Sequence, residues 1–541
     1  LDTFQHDVTG RLTQITDRDG LVTQINRNTY GKISSIVNPY GITTQFRMDI
    51  AGNLYEIEDP IGRVNRFFYL NGSLNGPMTA MRDPSGNTKY YVYDSSEKLI
   101  TATNANGGDK TLNLTVNSTN GISSSKVDFA TPMGRVTSYD LIQNPSGYVT
   151  RTNTLPSGYT RTQNDSIDGM TTEIIESAGY IERTNMKKNA RFADKLVIEK
   201  IEDTSTGGGD ILFDESYTFA SPGNPFSISS YHKTTTLGPD VFSSTYNATT
   251  STQTSSSPSG IQEVRVLDAK GRVVTSQLGS LHPRYFTYNT NGQLTSFSQG
   301  TRVYSYGYNT SGQRSSVVDP LNNTTTFLYD DANQLLTKNL ANGKTVNLQY
   351  TPNGEMEELT NSGGDVYSYT FDNNRNVVGN FEPTIGSTSF TWDWDYNADD
   401  QNTITTHPDS SVLTKTYNTD GTLATLSATG LSRTYSWYMG VLQGIASTSN
   451  VNLTLTGDKR PTSATWQGAI NGSVNYGWGS YGRLNSLTVN NSAYVSFAYD
   501  SDGALSQAHD LYLTRDLTNG LITASTEGQV STSHSYNNYG E

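Results

Sequence analysis

The chain has 541 residues, no cysteine, 16% charged residues and a formal net charge of −14. This excludes disulfides and thiolate metal sites and argues against nucleic acid or an anionic membrane as partner, since either would need a basic stripe. Low charge combined with 34 Tyr is the composition of many strands and turns rather than of disorder.

From the N-terminus, Asp7-Val8-Thr9-Gly10 followed by Leu12 predicts a tight turn that opens a strand. The same grammar returns 21 residues later at Asn28-Thr29-Tyr30-Gly31 with Ile33, and 21 residues on again at Asp49-Ile50-Ala51-Gly52 with Leu54. A constant period of this length marks a repeat architecture. Further copies fall near Leu70 and at Asp94. Between them lie linking turns at Asp17-Arg18-Asp19-Gly20, Asn38-Pro39-Tyr40-Gly41, Asp59-Pro60-Ile61-Gly62 and Asp83-Pro84-Ser85-Gly86. Proline in second place presets φ, and the closing glycine accepts positive φ. Each repeat in this block, residues 1–105, reads as two strands of about six residues and two turns.

The pattern weakens over 106–262. Asn144-Pro145-Ser146-Gly147 fits it, the charge-dense Asp194–Asp203 could be an amphipathic helix or a strand because Phe192, Leu196 and Ile201 match neither period cleanly, and Gly207-Gly208-Gly209 and Ser251–Gly260 read as loops. Degenerate repeats with insertions fit this stretch better than a separate domain. Over 263–541 the grammar sharpens again. Asp268-Ala269-Lys270-Gly271 opens it, followed by Tyr288-Asn289 with Gly292 and Leu294, Tyr308-Asn309 with Gly312, and Tyr329-Asp330 with Leu335. Phe371-Asp372, Tyr396-Asn397, Tyr417-Asn418 with Gly421 and Leu423, and Tyr499-Asp500 with Gly503 and Leu505 complete the series.

This Y-D-x-x-G-x-L pattern with its D-P-x-G linking turn resembles the YD repeat of the RHS-repeat proteins. These include bacterial RHS polymorphic toxins, the shell components of insecticidal Tc toxins, and teneurins. The resemblance implies an all-β fold in which the repeats form one sheet that spirals into a hollow, cocoon-like shell. It also implies an enclosed cargo, in bacterial members a C-terminal toxin segment. Many members release the toxin with paired aspartates in a D-P-x-G setting. Asp59-Pro60 and Asp83-Pro84 are ordinary linking turns here, so no protease role carries over to them.

The motif has a physical logic. The leading Asp or Asn can accept from backbone N–H groups two residues on, and the glycine takes the left-handed conformation. Tyr304, Tyr306 and Tyr308, Tyr367, Tyr369 and Phe371, and Trp392, Trp394 and Tyr396 are each spaced by two, on one face of a strand, where they can stack across neighbouring strands. Apolar residues after the turn are spaced by three instead: Leu12/Ile15, Ile33/Ile36, Leu54/Ile57, Leu294/Phe297, Leu423/Leu426 and Leu484/Leu487. A β-bulge after each turn would bring both to one face and curve the sheet.

No catalytic, cofactor or metal site is expected. His6, His232, His282, His407, His509 and His534 are scattered, and no hydrolase, zincin or P-loop motif occurs. Asp393, Asp395, Asp399 and Asp400 surround Trp392 and Trp394 and could form a glycosidase pair, but Asp399-Asp400 reads more simply as a turn. Trp392, Trp394, Trp437 and Trp478 could stack sugar rings, with wall packing the favoured alternative. The first functional reading is a non-enzymatic shell enclosing or presenting a cargo. The alternatives are an extracellular adhesion or filament protein that binds glycans or a protein receptor, and a carbohydrate-active β-repeat enzyme. A large cysteine-free β chain suits a secreted or cell-surface bacterial protein. No run approaches 18 apolar residues, so no membrane-spanning helix is expected. The motif at Tyr536–Glu541 stops before its apolar residue, and Leu1 begins one strand before the first turn, so we expect a longer polypeptide. We also expect less than about a tenth helix, against the usual third.

Overall fold

The local unit follows from the turn residues. In the computed structural model, which describes residues 2–70, 76–204 and 208–541, the Asp7 Oδ1 accepts from the backbone N–H groups of Thr9 at 2.8 Å and Arg11 at 3.0 Å. The Gly10 N–H donates to the Asp7 carbonyl, and Gly10 sits at φ 81°. The same closure recurs along the chain. Where glycine is missing, Asn322, Asn333 or Asp400 takes the positive-φ place, as short polar side chains can. Leu1, Gly207 and residues 71–75 of the copy near Leu70 lie outside the described residues.

Behind the YD turns of the regular repeats the ladder slips by one, while linking turns such as Asp17–Gly20 and Asp319–Asn322 leave it in register. Ile33 faces Arg27 and Ile36 faces Ile25, while Ser35 faces Asn26 and Ser34 is left over. The same shift places Leu54 opposite Met48 and Ile57 opposite Phe46, and Leu294 opposite Tyr288 and Phe297 opposite Phe286. Spacing by three therefore reaches one face through a bulge. One face gathers the cross-strand pairs Phe4–Ile15, Ile25–Ile36 and Phe46–Ile57, with Thr23 and Thr44 facing Ile15 and Ile36 between them. On the other, Glu56 is buried and lies between Arg47 and Arg66. Aromatic rings meet across strands, stacked at Tyr231–Tyr246, 5.6 Å, and tilted at Phe286–Phe297, 5.4 Å, and Phe297–Tyr304, 6.0 Å.

These units join into one antiparallel sheet of 49 strands, each paired with the next in sequence. Strands hold 59% of the residues; among the described residues none is α-helical, and a 3₁₀ turn occurs at Ser480–Gly482. The ladder runs through 106–262 without a break and with longer strands, up to the 11 residues of Asp109–Thr119. Leu196–Asp203 is a strand. Ser251–Gly260, expected as a loop, instead contains the strand Thr252–Ser256 with a turn at Ser257–Gly260. Its two neighbours in the sheet pair with every residue of that strand, which outweighs the turn preference of serine.

The sheet coils. Turn tips far apart in sequence touch in a regular series: Asp19 with Lys270, Arg63 with Gln334, Ser85 with Asn353, Asn106 with Asn374, and Ser257 with Asp502. Between the Asp17–Gly20 and Asp268–Gly271 turns lie 21 strands, the third to the twenty-third. At about 4.8 Å per strand, one circuit has a diameter of at least roughly 32 Å. The chain completes two circuits and begins a third, where Thr518 and Tyr539 reach Ser280 and Thr301.

The resulting body is a wall without a filled centre. Its accessible surface is 30130 Å², where a compact globule of 59.1 kDa would expose about 19,000 Å². Among the described residues only Ala80, Tyr159 and Ala464 are buried hydrophobics.

Backbone strain at the turns is testable at Gly62, which has φ 85° and nothing within 4 Å of an added Cβ. Gly62→Ala should therefore cost about 1 kcal/mol through φ alone, seen as roughly fivefold faster hydrogen exchange at the Gly62 and Arg63 amides. Gly62→Asn should cost less than half as much.

Candidate functional site: the repeat clamp and the seam between coils

The aromatic of the repeat acts through its polar end. The Tyr69 hydroxyl donates to the Leu54 carbonyl at 2.7 Å, 15 residues back. Tyr308 does the same to Leu294 at 2.8 Å, Tyr350 to Leu335 at 2.8 Å and Tyr499 to Leu484 at 2.8 Å. Tyr288 reaches the Val273 carbonyl at 2.8 Å and Tyr417 that of Asn402 at 2.7 Å. Burial raises the pKa of Tyr69, Tyr288, Tyr350 and Tyr417, which keeps these phenols neutral donors. Tyr329 holds the same register position, opposite Leu335, without this bond.

This clamp accounts for two of the tryptophans. Trp437 and Trp478 stand where the repeat places Tyr. Their indole N–H groups donate to the Leu423 carbonyl at 2.7 Å and the Pro461 carbonyl at 2.8 Å. Trp392 and Trp394 stack on one face of Thr388–Tyr396, centroids 6.2 Å apart, with His407 4.6 Å from Trp392. Asp393 and Asp395 point to the opposite, exposed face.

The remaining motif residues serve the turns. Asp49 accepts from the Asn53 N–H at 2.9 Å, with Gly52 at φ 85°. Asp94 accepts from Ser96 and Lys98, and Glu97 replaces glycine at φ 59°. Asp330 accepts from the Gln334 N–H at 2.8 Å, and Asp500 from those of Asp502 and Ala504. Gly292, Gly421 and Gly503 all have positive φ. Leu12 faces His6, and the Leu505 carbonyl accepts from Arg515 at 3.4 Å.

A second ladder escapes sequence inspection. Gln293, Gln313, Gln334 and Gln401 follow the turn, and each side-chain amide donates to a carbonyl of the next turn along the same rim: Gly312, Asp330, Gly354 and Gly421. A recurrent Gln directly after the turn is the only signal it leaves.

The seam brings two kinds of turn together. Linking turns of the first coil meet YD turns of the second. At Asp19, Lys270 stands at 2.9 Å and Arg272 at 3.1 Å. Arg135 and Asp399 form a pair at 2.5 Å with side chains 9% and 7% exposed, and Asp399 also accepts from the Thr131 hydroxyl and the Met133 N–H. Asp502 accepts from the hydroxyls of Ser257 and Ser259 and from the Ser259 N–H. Asp400 holds the left-handed turn position and accepts from Asn374 and Asn376. Asp399 and Asp400 are thus engaged in turn and seam, while Asp393 and Asp395 lie on a strand. A cleft of about 220 Å³ opens on the seam beside Asp59, Arg63, Asp83, Asn353 and Arg375.

The Lys270 ammonium lowers the pKa of Asp19, aided by Arg272 and Arg18. Burial opposes ionisation of Asp502, but hydrogen bonds from Ser259 and Ser257 outweigh it and lower its pKa too.

The sequence profile of the teneurin YD-shell family matches residues 2–541. Among solved structures, the TcdB2-TccC3-Cdc42 crystal structure aligns at 13% identity and TM-score 0.32, covering 92% of this chain and 27% of that one. A Tc holotoxin pore of Photorhabdus luminescens aligns at 14% identity and TM-score 0.31, covering 97% and 27%. TcdB2-TccC3 aligns at 10% identity and TM-score 0.33, covering 100% and 41%. The chain thus spans well under half the length of each. No curated protein matches it.

Three outcomes follow from this geometry. Tyr350→Phe keeps the ring and loses the bond, so it should destabilise by about 1 kcal/mol in chemical denaturation. Asp399→Ala leaves the Arg135 guanidinium buried without its carboxylate and should cost about 3–5 kcal/mol, with faster exchange at the Met133 amide. Because the Asp19 and Asp502 pKa values are lowered on folding, their stabilisation is complete above the ordinary carboxylate value near 4 and is lost as pH falls through the folded values. The melting temperature should stay level from pH 8 to about 5 and drop below about 4.

Proposed function

Because the chain belongs to the teneurin YD-shell family, we propose that it forms the wall of a hollow shell that encloses or presents a cargo. The observation that carries this reading is the surface area. A chain of this mass with both sheet faces open to solvent encloses space instead of filling it. The seam supports it further, since polar contacts between coils close the wall sideways where the backbone ladder cannot. Residues 106–262 belong to the same wall in this reading, as divergent repeats. The cargo is a separate segment or polypeptide, such as a toxin or effector, and the location is secreted or cell-surface, in a bacterium.

The wall has no catalytic part to play in this reading. The residues repeated at constant spacing are spent on turns, clamps and the seam, and the aspartates beside Trp392 and Trp394 divide between a strand face and a turn. A glycosidase needs two carboxylates across one cleft.

Two measurements test this. End-on class averages of the purified chain by electron microscopy should show a stain-filled centre; a protein-filled centre would refute the shell. Glycan, nuclease and peptide substrates should not turn over. Turnover abolished by Asp395→Asn in a folded protein would replace the wall with an enzyme.

A further inference from the structure

A seam between near-identical repeats has to choose its register. One bond recurs across it: the third residue of a linking turn donates its backbone N–H to the side-chain oxygen of the third residue of the facing turn. It runs from Ser85 to Asn353 at 3.1 Å, Asn106 to Asn374 at 3.2 Å, Met133 to Asp399 at 3.0 Å and Ser259 to Asp502 at 2.8 Å. A backbone N–H is the same at every turn, and Asn291, Asp420 and Asp458 hold the acceptor's place in further turns of the second coil. These bonds hold the coils together without selecting which turns meet. A slip by one repeat would re-form them and add or remove two strands per circuit. Repetitive pairing of this kind needs contacts that penalise the slipped alternatives.

Two contacts inside the seam do so, one for each direction. The far edge of the Tyr40 ring occupies the space that a Cβ on Gly312 would need. After a forward slip Tyr40 would meet the next turn, where Asn333 holds the left-handed place of Gly312 and its side chain fills that space. Arg135 is buried against Asp399. After a backward slip it would meet the turn Asp372–Arg375, which offers the neutral Asn374 in the place of Asp399 and leaves the guanidinium buried without its carboxylate. A forward slip would instead give Arg135 the carboxylate of Asp420, and a backward slip would give Tyr40 the bare Gly292. We propose that Tyr40 and Arg135 are the register keys of the seam, each blocking one direction of slip, and that together they set how many strands make one circuit. The proposal stands on the seam alone, whatever the wall encloses.

The chain has no cysteine, so introduced pairs report register by disulfide formation under mild oxidation of the whole chain. Ser85→Cys with Asn353→Cys reports the observed register. Ser85→Cys with Asn374→Cys reports the forward slip, and Asn106→Cys with Asn353→Cys the backward one. Neighbouring repeats lie about 10 Å apart along the seam, and a disulfide needs Cα atoms within about 7 Å, so the slipped pairs should stay reduced in the unaltered background. Tyr40→Ser should raise the forward product about tenfold or more and leave the backward one unchanged. Arg135→Ser should do the reverse; Asp399 keeps its bonds from Thr131 and Met133 in that variant. Asp502→Ala, which removes a contact that any register re-forms, should raise neither. The far-ultraviolet spectrum should remain that of a β-sheet throughout, and the Tyr40→Ser result decides alone if Arg135→Ser does not fold. Slipped products that neither variant raises, or that Asp502→Ala raises equally, overturn the proposal and leave the shell reading untouched.

Discussion

A wall one sheet thick has no second layer to pack against, and this constraint shapes the rest of the molecule. The three buried hydrophobic residues among those described cannot supply the burial that stabilises a globular domain of this size. The backbone ladder between sequential strands takes that place, and it is strongest where its ends are tied. Each Tyr clamp ties a strand end to the carbonyl of the preceding repeat. It does so with a side chain whose ring also covers the apolar face, so one residue serves both packing and hydrogen bonding. The indole N–H of Trp437 or Trp478 serves equally well, because the clamp requires a flat ring with a donor at its far edge rather than a phenol as such.

Curvature follows from the turns. A leftover residue behind the YD turns of the regular repeats, such as Ser34, lengthens one strand of the pair relative to its partner, and bulges of this kind bend and twist a sheet. Because the bulges recur with the repeat, the bends add up, and the sheet returns beside itself after 21 strands at the Asp19 contact. The first coil then offers its linking turns to the YD turns of the second. A linking turn such as Asp17–Gly20 therefore has two tasks, closing its own hairpin and presenting Asp19 to Lys270 and Arg272.

The seam is polar where the sheet face is apolar, with different physical consequences. Apolar cross-strand pairs respond little to pH or salt. The seam depends on carboxylates: Asp19, Asp399 and Asp502 each bridge the two coils. Of these, the Arg135–Asp399 pair is the most enclosed and so the least screened by salt. The wall is accordingly held along the chain by backbone bonds and across the coils by charge.

Much of this was legible in the sequence. The period of Asp7, Asn28 and Asp49, the glycines at positive φ and the paired apolar residues spaced by three are local features, set by the few backbone conformations open to a short turn, so the all-β repeat and its bulges could be read directly. The strand at Thr252–Ser256 could not, because serine and threonine take their conformation from the neighbours they pair with. Nor could the role of Trp437 and Trp478: a ring reads as packing or as a sugar platform until the carbonyl 14 or 17 residues back is placed beneath it. The seam lay furthest from view. Arg135 and Asp399 are 264 residues apart, and only the summed curvature of some 20 strands decides that they meet. The sequence alone determined the repeat, which is local chemistry; the tertiary structure alone decided which turns face each other, which is accumulated geometry.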